Sequence, residues 1–109
     1  MQTDAQWVSG HFTELARLAE RLAGRNRAIY RHSFDYMHFG SWVLEAGTRK
    51  RRVRVTWDGR ESILSASVTE YGDSPGPDWE PLSERRFERA SPFTLFEAAE
   101  EIIAEYTSA

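Results

Sequence analysis

Cysteine is absent from this chain of 109 residues, and lysine is nearly so, because Lys50 is the only lysine among 14 basic residues. The first absence excludes a disulfide framework, a thiolate metal site and a cysteine nucleophile. The second means that arginine carries the positive charge, and its planar guanidinium offers a partner two parallel hydrogen bonds.

Long apolar runs are also absent, so no segment is predicted to span a bilayer. The first residues, MQTDAQW, have neither the basic region nor the apolar run of a secretory signal. We therefore expect a cytoplasmic protein with no membrane partner. The net charge of −3 disfavours non-specific binding to nucleic acid.

The residues that are present suffice for a hydrophobic core, since 40% are hydrophobic and 13% are aromatic. A chain of this length typically forms one domain, which we place at 1–109. Such a core needs no metal or disulfide to hold it together, and no cofactor is predicted.

Two segments have the three-and-four spacing of amphipathic helices. The first is predicted to begin at Asp4 as N-cap and to end at Gly24, and the second to begin at Ser91 and Pro92. Their apolar stripes are Val8, Phe12, Leu15, Leu18, Ala19 and Leu22 in the first, and Leu95, Phe96, Ala99, Ile102, Ile103 and Tyr106 in the second.

Residues 32–46 follow the first helix with a spacing of two, which indicates β structure. We expect a hairpin with a three-residue turn at 39–41, which would pair His38 with Trp42. The alternative is a single bulged strand over the whole segment.

A second hairpin is predicted around Asp58-Gly59, a dipeptide typical of the two-residue type I′ turn. That turn would pair Trp57 with Arg60. The alternation then predicts a buried face made of Val53, Val55, Trp57, Leu64, Ala66 and Val68.

Residues 71–81, rich in proline and glycine, are predicted as a loop, and residues 82–89 as an edge strand of undetermined facing. The order is helix, five strands, helix. It predicts an α+β two-layer sandwich, in which an antiparallel five-stranded meander sheet is flanked by N- and C-terminal helices packed on one face. The opposite face of the sheet is left open to water.

The histidines do not predict a metal site. His32 and His38 are six residues apart, about 20 Å along a strand, whereas two zinc ligands must both lie about 2 Å from the ion. His11 is the only other histidine. No catalytic motif occurs either, so no catalytic residue is assigned and enzymatic activity is disfavoured.

The arginine-rich hairpin at residues 49–54 is the first candidate binding surface. Arg49 and Arg51 are expected near its tip, and Arg52 and Arg54 on the open face of the sheet. Trp79 in the proline-rich loop is a further candidate anchor, because tryptophan is frequent among the residues that dominate protein interfaces.

Tyr36, His38 and Trp42 form the second candidate group. Together they could line a pocket between the sheet and the helices. His38 could also respond to pH, because free histidine titrates near pH 6.5.

These features predict a small protein-binding module, such as an adaptor, an inhibitor or an immunity-type protein, whose partner is another protein. Two alternatives stay open: binding of an anion or nucleic acid through residues 49–54, and binding of a small molecule in the pocket of Tyr36, His38 and Trp42. The edge strand leaves both a monomer and a homodimer open.

Overall fold

A computed structural model describes residues 3–71 and 78–108 of the chain. Its elements are α1 (Asp4–Ala23), β1 (Ala28–Asp35), β2 (Ser41–Gly47), β3 (Arg51–Asp58), β4 (Ile63–Glu70), β5 (Glu80–Arg86) and α2 (Pro92–Thr107). The strands form one antiparallel sheet in the order β1-β2-β3-β4-β5, and both helices pack against it. The predicted fold class is confirmed. Of the loop expected at 71–81, residues 72–77 lie outside the described residues.

The helix α1 begins one residue earlier than predicted, because Thr3 and not Asp4 is its N-cap. The Thr3 hydroxyl accepts a hydrogen bond from the backbone N–H of Gln6 at 3.1 Å, and the Gln6 side chain accepts one from the N–H of Thr3 at 2.8 Å. This reciprocal capping box satisfies two N–H groups that would otherwise have no partner in the helix.

The buried side of α1 is rotated from the predicted stripe. Phe12 is 49% exposed and Ala19 is exposed as well, whereas His11 and Glu14 are buried beside Leu18. The reason is tertiary: α1 packs mainly against α2 and the first strand, and not flat on the sheet. In that position the buried side of α1 includes polar residues such as His11 and Glu14 and leaves some apolar residues exposed.

The helix α2 follows its prediction closely. Ser91 is the N-cap, and its hydroxyl accepts a hydrogen bond from the N–H of Thr94 at 3.2 Å, while Pro92 is the first helical residue. Leu95 and Phe96 are fully buried under this helix. It lies across β2, β3 and β4 and covers the apolar face of the sheet.

The sheet buries the face that the alternation predicted. Its buried apolar residues are Trp42, Leu44, Ala46, Val53, Val55, Trp57, Leu64, Ala66 and Val68. They are successive alternate positions on β2, β3 and β4, as the pleat requires.

The first hairpin exists, but its predicted register is wrong. Trp42 pairs with Phe34 and not with His38, and a five-residue turn at 36–40 joins Asp35 to Ser41. The Asp35 carboxylate closes the strand early, because it accepts a hydrogen bond from the N–H of Met37 at 3.0 Å. His38 therefore lies in the turn, and the single bulged strand is excluded.

The second hairpin also has a longer turn than predicted. Trp57 pairs with Leu64 and not with Arg60, so four residues, and not two, separate the strands. The Asp58 carboxylate again forms the turn, accepting hydrogen bonds from the N–H groups of Arg60 at 3.0 Å and Glu61 at 3.2 Å.

Gly59 allows the two turns to approach each other closely. A Cβ atom at this position would lie 1.9 Å from the carbonyl oxygen of Phe39 in the first turn. The glycine is thus explained by a neighbouring hairpin and not by a type I′ conformation.

The strand β5 is an edge strand, as predicted, but it begins and ends earlier than 82–89. A register shift against β4 places Leu82 in a bulge, and its half-buried side chain packs on the core. Pro81 and the surrounding charged residues suit an edge, because they discourage pairing with another chain.

Candidate functional site

The face of the sheet turned away from the helices, called the open face below, carries a row of charges across three strands. Arg31 on β1, Glu45 on β2 and Arg54 on β3 are neighbours in register. Glu45 has only 6% of its side chain exposed, and one of its oxygens accepts hydrogen bonds from Arg31 at 3.3 Å and from Arg54 at 3.1 and 3.2 Å. Two guanidinium groups therefore share one carboxylate, which leaves one positive charge in excess.

Trp79 completes this row from outside the sheet. The Arg54 guanidinium lies 4.0 Å from the centre of the Trp79 ring, in the geometry of a cation–π contact. The same arginine is thus held from two sides, by the Glu45 carboxylate in the sheet and by the indole ring above. These two contacts fix the orientation of its guanidinium.

Two residues before Arg54 on β3, Arg52 is stacked between two tyrosine rings. Its guanidinium carbon is 3.9 Å from the ring centre of Tyr30 and 4.1 Å from that of Tyr71. Tyr30 reaches this face because the register between Ile29 and Arg31 shifts at a bulge in β1. We call this arrangement the Tyr30–Arg52–Tyr71 stack.

The charge of Arg52 is not compensated within the residues that the structure describes. Its Nε–H group is shielded from water and has no acceptor there, and no carboxylate in 3–71 or 78–108 forms an ion pair with it. Arg31, Arg52 and Arg54 lie around the buried Glu45 at this part of the open face, and these four side chains together carry a charge of +2.

The predicted binding residues divide into two groups. Arg52 and Arg54 lie on the open face, and Trp79, predicted only as a loop residue, contacts Arg54 there. Arg49 is exposed at the turn before β3. Arg51 is engaged elsewhere, because its guanidinium bonds Glu70 and the backbone carbonyl of Tyr106 at the end of α2.

Tyr36, His38 and Trp42 do not line one pocket. Trp42 and His38 border a cleft of about 370 Å³ with Asp35, whereas Tyr36 borders a separate cleft of about 540 Å³ with Trp7. In the layer between sheet and helices, the Trp42 ring stacks on Phe96 with 4.9 Å between centroids and fills the space.

Two of these residues are held by carboxylates. The Tyr36 hydroxyl donates to Asp4 at 2.6 Å, and this bond raises the pKa of Tyr36. The His38 ring, 77% exposed, bonds the Asp35 carboxylate, and that contact lowers the pKa of Asp35.

A pair formed by the buried His11 and the half-buried His32 is the feature that the sequence reasoning missed. The Nε2 atoms of His11 on α1 and His32 on β1 are 2.9 Å apart, and the surrounding rings include Phe34 and Phe96. Burial, and then the proximity of His32, lower the pKa of His11 to about 4; burial also lowers the pKa of His32. The signal was a histidine placed among the apolar positions of the first helix.

The pair does not extend into a metal site. Within residues 3–71 and 78–108 there is no cluster of three or more histidine or acidic side chains that could hold a metal ion. The 2.9 Å separation is that of a hydrogen bond, in which one neutral ring donates and the other accepts.

Comparison of the chain with protein-family models, with curated proteins and with solved structures finds no match. Neither helix of the described chain has the length and apolarity needed to cross a membrane. The functional argument therefore depends on the open face itself.

Replacing Glu45 by glutamine tests whether this carboxylate organises the open face. We expect Glu45→Gln to lower the free energy of unfolding by about 2 kcal/mol, because two ion pairs are lost at a buried position. The Trp79 indole N–H resonance should also move as Arg54 is released. Denaturant unfolding and a two-dimensional NMR spectrum measure the two effects.

Glu70→Gln is the matched control, since Glu70 also pairs with an arginine but is 73% exposed. Exposed pairs contribute little, so its cost should stay below about 0.5 kcal/mol. Equal costs for the two variants would show that burial of Glu45 has no special role.

Proposed function

We propose that this chain is a small cytoplasmic protein-binding module, of adaptor, inhibitor or immunity type, that docks another protein on the open face of its sheet. The observation that carries the proposal is the preformed layer of stacked arginine and aromatic side chains on that face. Tryptophan, tyrosine and arginine are the residue types that most often dominate binding energy in protein interfaces.

The fixed geometry of this layer favours the same use. Long arginine side chains normally lose rotamer freedom when they bind, at a cost of about 0.5–1.5 kcal/mol each. Arg52 and Arg54 have already lost much of it, since each is stacked on an aromatic ring. A partner can therefore bind these groups without ordering them.

Nucleic-acid binding receives less support from the same contacts. Proteins that bind single strands stack bases on free aromatic faces. Here the rings of Tyr30, Tyr71 and Trp79 are each covered on one face by a guanidinium group. The net charge of −3 also opposes attraction of a phosphate polymer.

The test compares two single aromatic truncations in binding experiments with extract of the native host. Trp79→Ala removes a ring from the open face, and the matched control Phe93→Ala removes an exposed ring from α2. We expect a host protein that the wild type and Phe93→Ala retain equally and that Trp79→Ala loses by about tenfold or more, as quantified by mass spectrometry.

Circular dichroism must show that both variants are folded. If the only protein retained is the chain itself, or if the two truncations retain the same proteins in equal amounts, the open face is not the docking surface.

A further inference from the structure

In the Tyr30–Arg52–Tyr71 stack, two ring centres lie 3.9 and 4.1 Å from the guanidinium carbon of Arg52. The N–H groups of a guanidinium lie in its plane, so hydrogen bonds to a partner are donated from its edge. A guanidinium edge carries parallel N–H groups whose spacing matches the two oxygens of a carboxylate.

The neighbouring arginines show what is missing at Arg52. Arg51 bonds Glu70, and Arg31 and Arg54 both bond Glu45. In the described part of the chain, Arg52 has no such carboxylate. The Nε–H of Arg52 is shielded from water, so a partner can accept hydrogen bonds only from the terminal Nη1 and Nη2 groups.

We propose that Arg52 is a receptor for the carboxylate of an aspartate or glutamate side chain in an acidic segment of the partner protein. This inference rests on the proposed function and specifies its ligand chemistry. The carboxylate accepts two parallel hydrogen bonds from the terminal nitrogens at the edge of the guanidinium. It gives Arg52 an ion-pair partner that residues 3–71 and 78–108 do not provide.

Charge around the stack selects an acidic segment. The cluster of Arg31, Arg52, Arg54 and Glu45 carries a charge of +2, and the exposed Arg49 and Lys50 lie at the turn that leads into β3. A positive patch on a chain of net charge −3 attracts acidic partners and orients their approach. The basic side chains thus attract the acidic segment as a whole, and Arg52 binds one of its carboxylates.

The direct test uses a fluorescent peptide of alternating glutamate and glycine, with the glutamine–glycine peptide as the uncharged comparison. Fluorescence anisotropy at low salt should show binding of the glutamate peptide only. Arg52→Gln should weaken that binding about tenfold, and Arg52→Lys, which keeps the charge but not the paired donors, by about fivefold.

Arg85→Gln is the matched control, because Arg85 also stacks on an aromatic ring, at 4.5 Å from the Phe87 centroid, and carries the same charge. Its affinity for the glutamate peptide should stay within about twofold of the wild type. A wild type that binds neither peptide, equal binding of both peptides, or equal weakening by Arg52→Gln and Arg85→Gln would overturn the receptor. Tighter binding of an oligothymidylate of equal charge would do so as well.

The host-extract experiment separates this inference from the function on which it rests. Arg52→Gln should lose the same host protein that Trp79→Ala loses. If Trp79→Ala loses it and Arg52→Gln keeps it, the open face is a docking surface but Arg52 is not its carboxylate receptor. If both variants keep it, the proposed function fails together with the receptor.

Discussion

Acidification from about pH 7 to about pH 4 should lower the free energy of unfolding by about 3 kcal/mol through His11 alone. Burial lowers the pKa of this residue from 6.5 to about 4 in the folded protein. The His11 imidazole is therefore protonated near pH 6.5 in the unfolded chain but only near pH 4 in the folded protein. Stability is complete above pH 6.5 and falls as the pH decreases through that interval.

The aromatic surroundings explain why the folded protein resists this proton. The rings of Phe12, Phe34, Trp42 and Phe96 lie around His11, which is 1% exposed, and among residues 3–71 and 78–108 the only hydrogen-bond partner of its ring is His32. No carboxylate of these described residues pairs with the ring, and burial shields a charged imidazolium there from solvent. Protonation of His11 therefore costs more in the folded protein than in the unfolded chain, and acid lowers the free energy of unfolding.

Denaturant titrations at several pH values, followed by tryptophan fluorescence, measure this effect. His11→Leu removes the titrating group at a cost of about 1–2 kcal/mol near pH 7 and should flatten the decline towards pH 4. His38→Gln, a change in an exposed turn, should keep the wild-type slope between about pH 7 and pH 5. An unchanged slope in His11→Leu would assign the acid sensitivity to other groups.

Substitution of alanine for Gly47 should lower the free energy of unfolding by about 3 kcal/mol. Gly47 has a φ angle of 145°, a conformation that residues with a side chain rarely adopt. An added Cβ would also lie 2.4 Å from the carbonyl oxygen of Arg51, which accepts the hydrogen bond from Thr48 that closes the β2–β3 turn. Conformational strain and a backbone clash thus act together.

Gly24→Ala provides the control for this prediction. Gly24 caps α1 with a φ angle of −64°, and a Cβ there makes only ordinary contacts, the nearest at 3.5 Å. Alanine fits this conformation and restricts the unfolded chain, so the variant should be as stable as the wild type or more stable. Thermal and urea unfolding of the two variants decide the matter, and similar behaviour would contradict the argument at Gly47.

The sequence predicted the faces of the strands better than the turns between them. In both hairpins the partner of the tryptophan moved by four residues, from His38 to Phe34 for Trp42 and from Arg60 to Leu64 for Trp57. Four is even, so the side chains that remain in the paired strands beside these turns stayed on their predicted faces. Turn length depended on carboxylate contacts and on the approach of Phe39 to Gly59, which local patterns do not reveal.

For the candidate site, too, the facing of strand residues was predictable and the contacts between distant residues were not. Alternation alone placed Arg52 and Arg54 on the open face, because the position of a residue on the pleat is a local property. The Tyr30 partner was not predictable, since its ring reaches Arg52 through a bulge. The contact of His11 with His32 joins a helix to a strand 21 residues away, and helix docking is a tertiary event.

The way in which α2 is attached has a consequence for the order of synthesis. The strands pair only with their neighbours in sequence, but Arg21 bonds Glu100 and Arg27 bonds Thr107, about 80 residues further on. A ribosome makes the whole meander before it makes the helix that covers it. Any sheet formed before residue 92 has been added displays its valine, leucine and tryptophan side chains without a cover, and in that interval the nascent chain is most exposed to aggregation.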